Sequence, residues 1–136
     1  VTAEQQIVLI ADDSVTNLHV LNDILRPHYR VKATRSGVRA VEIAARDRPH
    51  AVLLDVMMPD LDGPEACRRI KMQPGLAHVP VLFITGSTGA EAADACAAAG
   101  GAGMLTKPVD AQELLDTVAE HIRAAGSSDD GQPTPS

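Results

Sequence analysis

Three carboxylates, a hydroxyl and an ammonium close successive short apolar runs of this chain. Asp12 and Asp13 follow IVLIA at 7–11, Asp55 follows AVLL at 51–54, Thr85 ends VLFIT, and Lys107 ends GMLTK. Carboxylates gathered in one place raise one another's pKa unless a cation compensates them. Oxygen-only ligands select Mg²⁺ or Mn²⁺, ions that keep positions for water and for a substrate phosphate. A carboxylate is also a nucleophile toward phosphorus. A hydroxyl can donate to one phosphoryl oxygen and an ammonium can neutralise another, and phosphoryl transfer needs little beyond such positioning and charge. Taken singly, an Asp pair after a strand caps a helix and a lone Lys is solvated. Placed together at consecutive strand ends, they read as a divalent-cation and phosphoryl site with Asp55 as the nucleophile.

The elements that must position these residues are legible. The runs at 7–11, 51–54, 81–84 and 102–105 are short and nearly continuous in apolar residues, the pattern of strands buried on both faces. Residues 29–33 (YRVKA) alternate and read as an edge strand. Amphipathic stretches lie between the runs: Leu18, Leu21, Ile24 and Leu25, stopped by Pro27; Val38, Val41 and Ala45; Ala66, Cys67 and Ile70; and Leu114, Leu115, Val118 and Ile122. Ser14, Asp62, Thr88 and Asp110 read as helix caps, the last three with Glu65, Glu91 and Glu113 at capping-box spacing. Pro64 suits a first helical turn. Strand and helix thus alternate five times, which predicts a doubly wound α/β sandwich with right-handed crossovers. All the strand-end polar residues then share the carboxyl edge of one sheet, where open α/β sheets bind ligands.

Composition bounds the rest. The 136 residues suit one domain able to bury its own core. With one Tyr, one Phe and no Trp, stacking on nucleic-acid bases is not expected. A net charge of -6 argues against a nucleic-acid surface, and the basic residues between 26 and 48 read as a solvated face. Cys67 and Cys96 have no metal or redox spacing and read as buried thiols. No stretch approaches the roughly twenty apolar residues of a membrane span, so a cytoplasmic location is expected. The fourth helix, 89–99, is rich in alanine and lacks a large apolar anchor, so propensity rather than packing holds it. Residues 1–125 form the expected domain. Residues 126–136 (GSSDDGQPTPS) read as a flexible tail or linker, too short for an output module.

The segments IADDS, LLDVMMPDLDG, FITG and MLTKP, in this order and spacing, make residues 6–124 resemble the receiver domain of two-component response regulators. The resemblance implies a (βα)5 flavodoxin-like sandwich with a five-stranded parallel sheet in the order 2-1-3-4-5. It implies phosphorylation of Asp55 by the phosphohistidine of a sensor histidine kinase or phosphotransfer protein. Asp12, Asp13, Asp55 and the Met57 carbonyl would hold Mg²⁺, and Thr85, the Gly86 amide and Lys107 would bind the phosphoryl group. The stretch DDSVTNLHVLNDIL is similar to receivers attached to hybrid kinases or cyclic-dinucleotide enzymes.

Two departures carry expectations of their own. The fifth-strand position that holds a switching Tyr or Phe in the family is Met104, a flexible side chain that defines no two rotamers, so Thr85 and the fourth helix are expected to report phosphorylation. The variable positions beside the phosphoryl group, Met57 and Ser87, have no carboxylate or amide suited to orienting an attacking water, which implies slow dephosphorylation. The face of the fourth helix, fifth strand and fifth helix carries Glu91, Asp94, Asp110, Glu113, Asp116 and Glu120. It would meet an output domain, a basic partner or a second copy, so the chain is expected as a monomer or a phosphorylation-dependent dimer.

Two rival classes remain open on the residues. A flavodoxin-type cofactor binder would use Thr85–Gly89 as a phosphate loop, yet such a loop belongs after the first strand, where Asp12 and Asp13 stand. A hydrolase forming an aspartyl-phosphate would place an acid two residues beyond Asp55, where Met57 stands.

Overall fold

The computed structural model describes residues 6–86 and 90–130. Five strands, β1 (Ile7–Ala11), β2 (Arg30–Thr34), β3 (Ala51–Asp55), β4 (Val81–Thr85) and β5 (Gly103–Thr106), alternate with five helices. The helices are α1 (Val15–Leu25), α2 (Gly37–Asp47), α3 (Gly63–Lys71), α4 (Ala90–Ala98) and α5 (Ala111–Asp130). All pairings are parallel and the sheet order is β2-β1-β3-β4-β5. This is the flavodoxin-like sandwich that the resemblance implies, with the alternating YRVKA segment at a sheet edge.

Because side chains alternate across a strand, each central strand feeds two cores. Val8, Ile10, Leu53, Leu82 and Ile84 pack under Leu21, Leu25, Leu114 and Val118 of α1 and α5. Leu9, Val52, Leu54, Val81 and Phe83 face α2, α3 and α4. Every residue of β3 and β4 is buried, which explains why those runs read as continuous rather than alternating.

Four caps hold the helix starts that flank the site. Ser14, Ser36, Asp62 and Asp110 accept hydrogen bonds from the amides of Asn17, Arg39, Glu65 and Glu113. Thr88 lies outside the described residues. One expectation is corrected. The buried stripe of α2 is Gly37, Ala40, Ile43 and Ala44; Val38 and Ala45 are exposed and Val41 only packs at the margin. Small residues let this helix sit close: a Cβ on Gly37 would lie 2.3 Å from the Leu61 carbonyl oxygen. α5 runs on to Asp130, into the stretch whose composition reads as tail or linker. Extending an existing helix gains one hydrogen bond per residue fixed, so a change of composition alone need not end it.

Candidate active site at the carboxyl edge of the sheet

The three inner strands end where the chemistry sits. Asp12 is the residue after β1, and its amide donates to the carbonyl of Thr34 on the neighbouring strand. Asp55 ends β3 and Thr85 ends β4. All three are buried, at 1%, 6% and 4% exposure. Asp13 is exposed at the rim, where its carbonyl accepts from the Arg35 guanidinium at 3.1 Å. Asp12, Asp13 and Asp55 each present an oxygen within 4.8 Å of the others'.

Lys107 comes from the β5–α5 connection, and its backbone amide donates to the Thr85 carbonyl at 2.8 Å. Its ammonium lies 3.2 Å from Asp12 Oδ2 and 3.6 Å from Asp55 Oδ1. The Lys107–Pro108 peptide is cis. The sequence reading therefore named residues that the fold does bring together, and Gly86, at the exposed end of β4, adjoins them with open space around its Cα.

The electrostatics call for a cation. Asp12 Oδ1 accepts from the Ser14 amide at 2.9 Å, but the buried Oδ2 accepts no hydrogen bond among the described residues and lies 3.2 Å from the Lys107 ammonium. Burial pushes the Asp55 carboxyl up to about 6, with the Asp12 charge adding to the rise and Lys107 opposing it. One ammonium against three carboxylates leaves negative charge uncompensated, and hard oxygen donors of this number suit Mg²⁺. The donor set fits the ion that the sequence implies.

The loop after β3 is shaped with equal care. The Met57 amide turns back toward Asp55 Oδ1 at 3.4 Å, while the Met57 side chain is 75% exposed at the mouth of the site. Gly63 opens α3 directly against the end of β3: a Cβ there would lie 2.5 Å from the Asp55 carbonyl oxygen. Ser87 lies outside the described residues.

Asp60 is the positioning residue that sequence reasoning missed. Its carboxylate accepts from the Ser36 hydroxyl at 2.6 Å and from the amides of Gly37 and Val38 at 3.0 and 3.3 Å. These bonds, the Ser36 hydroxyl first, hold the Asp60 carboxyl down to about 2. The β3–α3 loop is thereby tied to the amino terminus of α2, whose dipole favours a negative charge. Ser36 just before an apolar periodic stretch was a readable cap signal. The partnership with Asp60 spans 24 residues and had no local signature.

A family model of the response regulator receiver domain matches residues 8–119. The chain belongs to that family. Among relatives of this receiver domain, a probable cyclic di-GMP phosphodiesterase of Vibrio cholerae is 37% identical over 122 residues, covering 90% of this chain and 28% of that protein. Response regulator PleD of Caulobacter vibrioides is 38% identical over 117 residues, covering 85% of this chain and 26% of PleD. The receiver therefore spans little more than a quarter of these relatives. The receiver domain of sensor histidine kinase PA1611 from Pseudomonas aeruginosa superposes with a TM-score of 0.82 at 33% identity, covering 87% of this chain and 98% of that one. That structure has a magnesium ion coordinated in its active-site cleft. The family assignment removes the support for a flavodoxin-type cofactor binder or a turnover hydrolase. Among the described residues no helix is long and apolar enough to cross a membrane.

Proposed function

We propose that Asp55 is the phosphoacceptor of this receiver, taking its phosphoryl group from the phosphohistidine of a sensor histidine kinase or phosphotransfer protein. One observation carries the reading: the buried Asp55 carboxylate stands at the end of the central strand with the Lys107 ammonium 3.6 Å away and a second buried carboxylate, Asp12, sharing that ammonium. Asp55 attacks phosphorus, the bond to the donor imidazole breaks, and the imidazole leaves with the bonding pair. Lys107 then neutralises a phosphoryl oxygen, while the Thr85 hydroxyl and the Gly86 amide donate to others. Asp12, Asp13, Asp55 and the Met57 carbonyl would hold Mg²⁺, with Mn²⁺ as a substitute. The ion, when bound, supplies charge neutralisation between carboxylates and phosphoryl oxygens.

Readout follows from what surrounds Thr85. Met104 on β5 is half-buried and packs against the core shared by α3 and α4, where a flexible thioether fills space without locking an alternative position. Thr85 and α4 carry the signal to the face of α4, β5 and α5. Asp94, Asp110, Glu113, Asp116 and Glu120 are exposed there, which suits a basic partner surface, an output domain or a second copy; the Glu91 side chain lies outside the described residues. The phosphorylated state is long-lived, because the exposed thioether of Met57 orients no attacking water. The reading places the domain in the cytoplasm, with no direct contact to nucleic acid or membrane.

Incubation with acetyl phosphate and Mg²⁺ is expected to add one phosphate by intact mass, labile at high pH and absent from Asp55→Asn. An unchanged adduct in that variant, or none in the wild type, would sink the proposal.

A further inference from the structure

The opposite edge of the sheet, away from Asp55, holds a second concave site. A cavity of about 340 Å³ opens among the residues that precede β1, β3 and β4 and the last described turns of α5. Cavities of this size accommodate small ligands. Gln6, Arg48, His50 and His78 supply its polar lining, and among the described residues no carboxylate lines it. Leu76, Val79, Pro49, Pro80 and Ile122 form its apolar wall.

Arg48 is the unusual element. It caps the end of α2 in the left-handed conformation, with φ 52° and ψ 67°, and is the only non-glycine residue with positive φ among those described. Glycine is the usual occupant of such a position, because a Cβ is strained there. An arginine held against that preference points to a use for its side chain. The guanidinium donates to the Pro74 carbonyl at 3.2 Å, which leaves most of its donors unspent. It rests on Gly75, itself at φ +82°, where a Cβ would lie 2.1 Å from Arg48 Nη2. Two left-handed residues thus seat one guanidinium at the cavity.

His50 lines the same cavity. The Ile7 amide donates to His50 Nδ1 at 3.1 Å, which puts the ring proton of the neutral imidazole on Nε2. A planar fork of N–H groups and an imidazole donor lining one cavity match a phosphate. The apolar wall matches an organic body attached to it. We propose that this cavity binds a small organic phosphate, independently of the chemistry at Asp55.

The test is an amide NMR titration of the full chain without Mg²⁺, using phenyl phosphate, inorganic phosphate and benzoate as probes. The expected result is millimolar or tighter binding of phenyl phosphate, about tenfold tighter than inorganic phosphate because of the buried ring. Shifts should centre on Ile7, Arg48, His50, Gly75 and Leu76. Benzoate should bind more weakly than phenyl phosphate. Arg48→Gly removes the fork and relieves the left-handed strain, so it should melt no lower than the wild type, accept phosphate at Asp55 normally and lose at least tenfold in phenyl phosphate affinity. Shifts confined to Asp12, Asp55 and Lys107, equal binding by Arg48→Gly, or tighter binding of benzoate would each overturn the proposal.

Discussion

The helices on either side of the Asp55–Thr85 strand ends are built by opposite means. On one side α3 starts with a capping Asp62, a proline in its first turn and Gly63 pressed on the Asp55 carbonyl, and it buries Ala66, Cys67 and Ile70 completely. Glu65 adds ion pairs to Arg68 and Arg69 along its outer face. On the other side α4 reads AEAADACAA, and among its described side chains only Cys96 is buried, with Ala99 just beyond its end. A depression of about 250 Å³ separates its Ala93, Cys96 and Ala97 from Gly103 and Met104 of β5. One flank fixes the Asp55 strand end by packing. The other is held by helix propensity, which leaves it at the low end of local stability, where moving elements are drawn from.

That contrast is open to attack by mutation. Ile70→Ala should cost about 3 kcal/mol in urea unfolding through the cavity it leaves beneath α3. Cys96→Ala should cost about 1 kcal/mol, because α4 has less to lose. Equal costs would dissolve the asymmetry. Gly63→Ala should cost about 2 kcal/mol, since its methyl meets backbone rather than a side chain able to turn away. Gly86→Ala, on the α4 side, should stay within about 0.5 kcal/mol because, among the described residues beyond its chain neighbours, nothing lies within 4 Å of a Cβ placed there.

The smallest effect changes with pH only in acid. The Asp60 carboxyl, held down to about 2 by Ser36 and the α2 amides, contributes stability that is fully present above the ordinary carboxylate range near 4. That contribution is lost as the pH falls toward 2. The melting-temperature gap between wild type and Asp60→Ala should therefore be open at neutral pH and close in acid. A gap that widens on acidification would show that Asp60 does not anchor the loop to α2.

What the sequence made legible follows the same division. Strand ends show their polar chemistry in their own residue types, so the cluster of Asp12, Asp55, Thr85 and Lys107 could be named without coordinates, and the burial of β3 and β4 on both faces showed as unbroken apolar runs. Helix faces built from small residues were not legible. Val38 and Ala45 gave α2 a plausible stripe, but Gly37, Ala40 and Ala44 are what the close approach to Leu61 demands. Contacts between distant loops were also invisible, which is why Asp60 on Ser36, and Arg48 on Pro74, emerge only from the fold.

The account rests on which oxygen takes the phosphate. Protein phosphorylated with acetyl phosphate and Mg²⁺, then reduced with borohydride, should yield a homoserine at position 55 when its peptides are sequenced by mass spectrometry. Homoserine at Asp12 or Asp13 instead, or no reducible acyl phosphate anywhere in the chain, would contradict the assignment of Asp55.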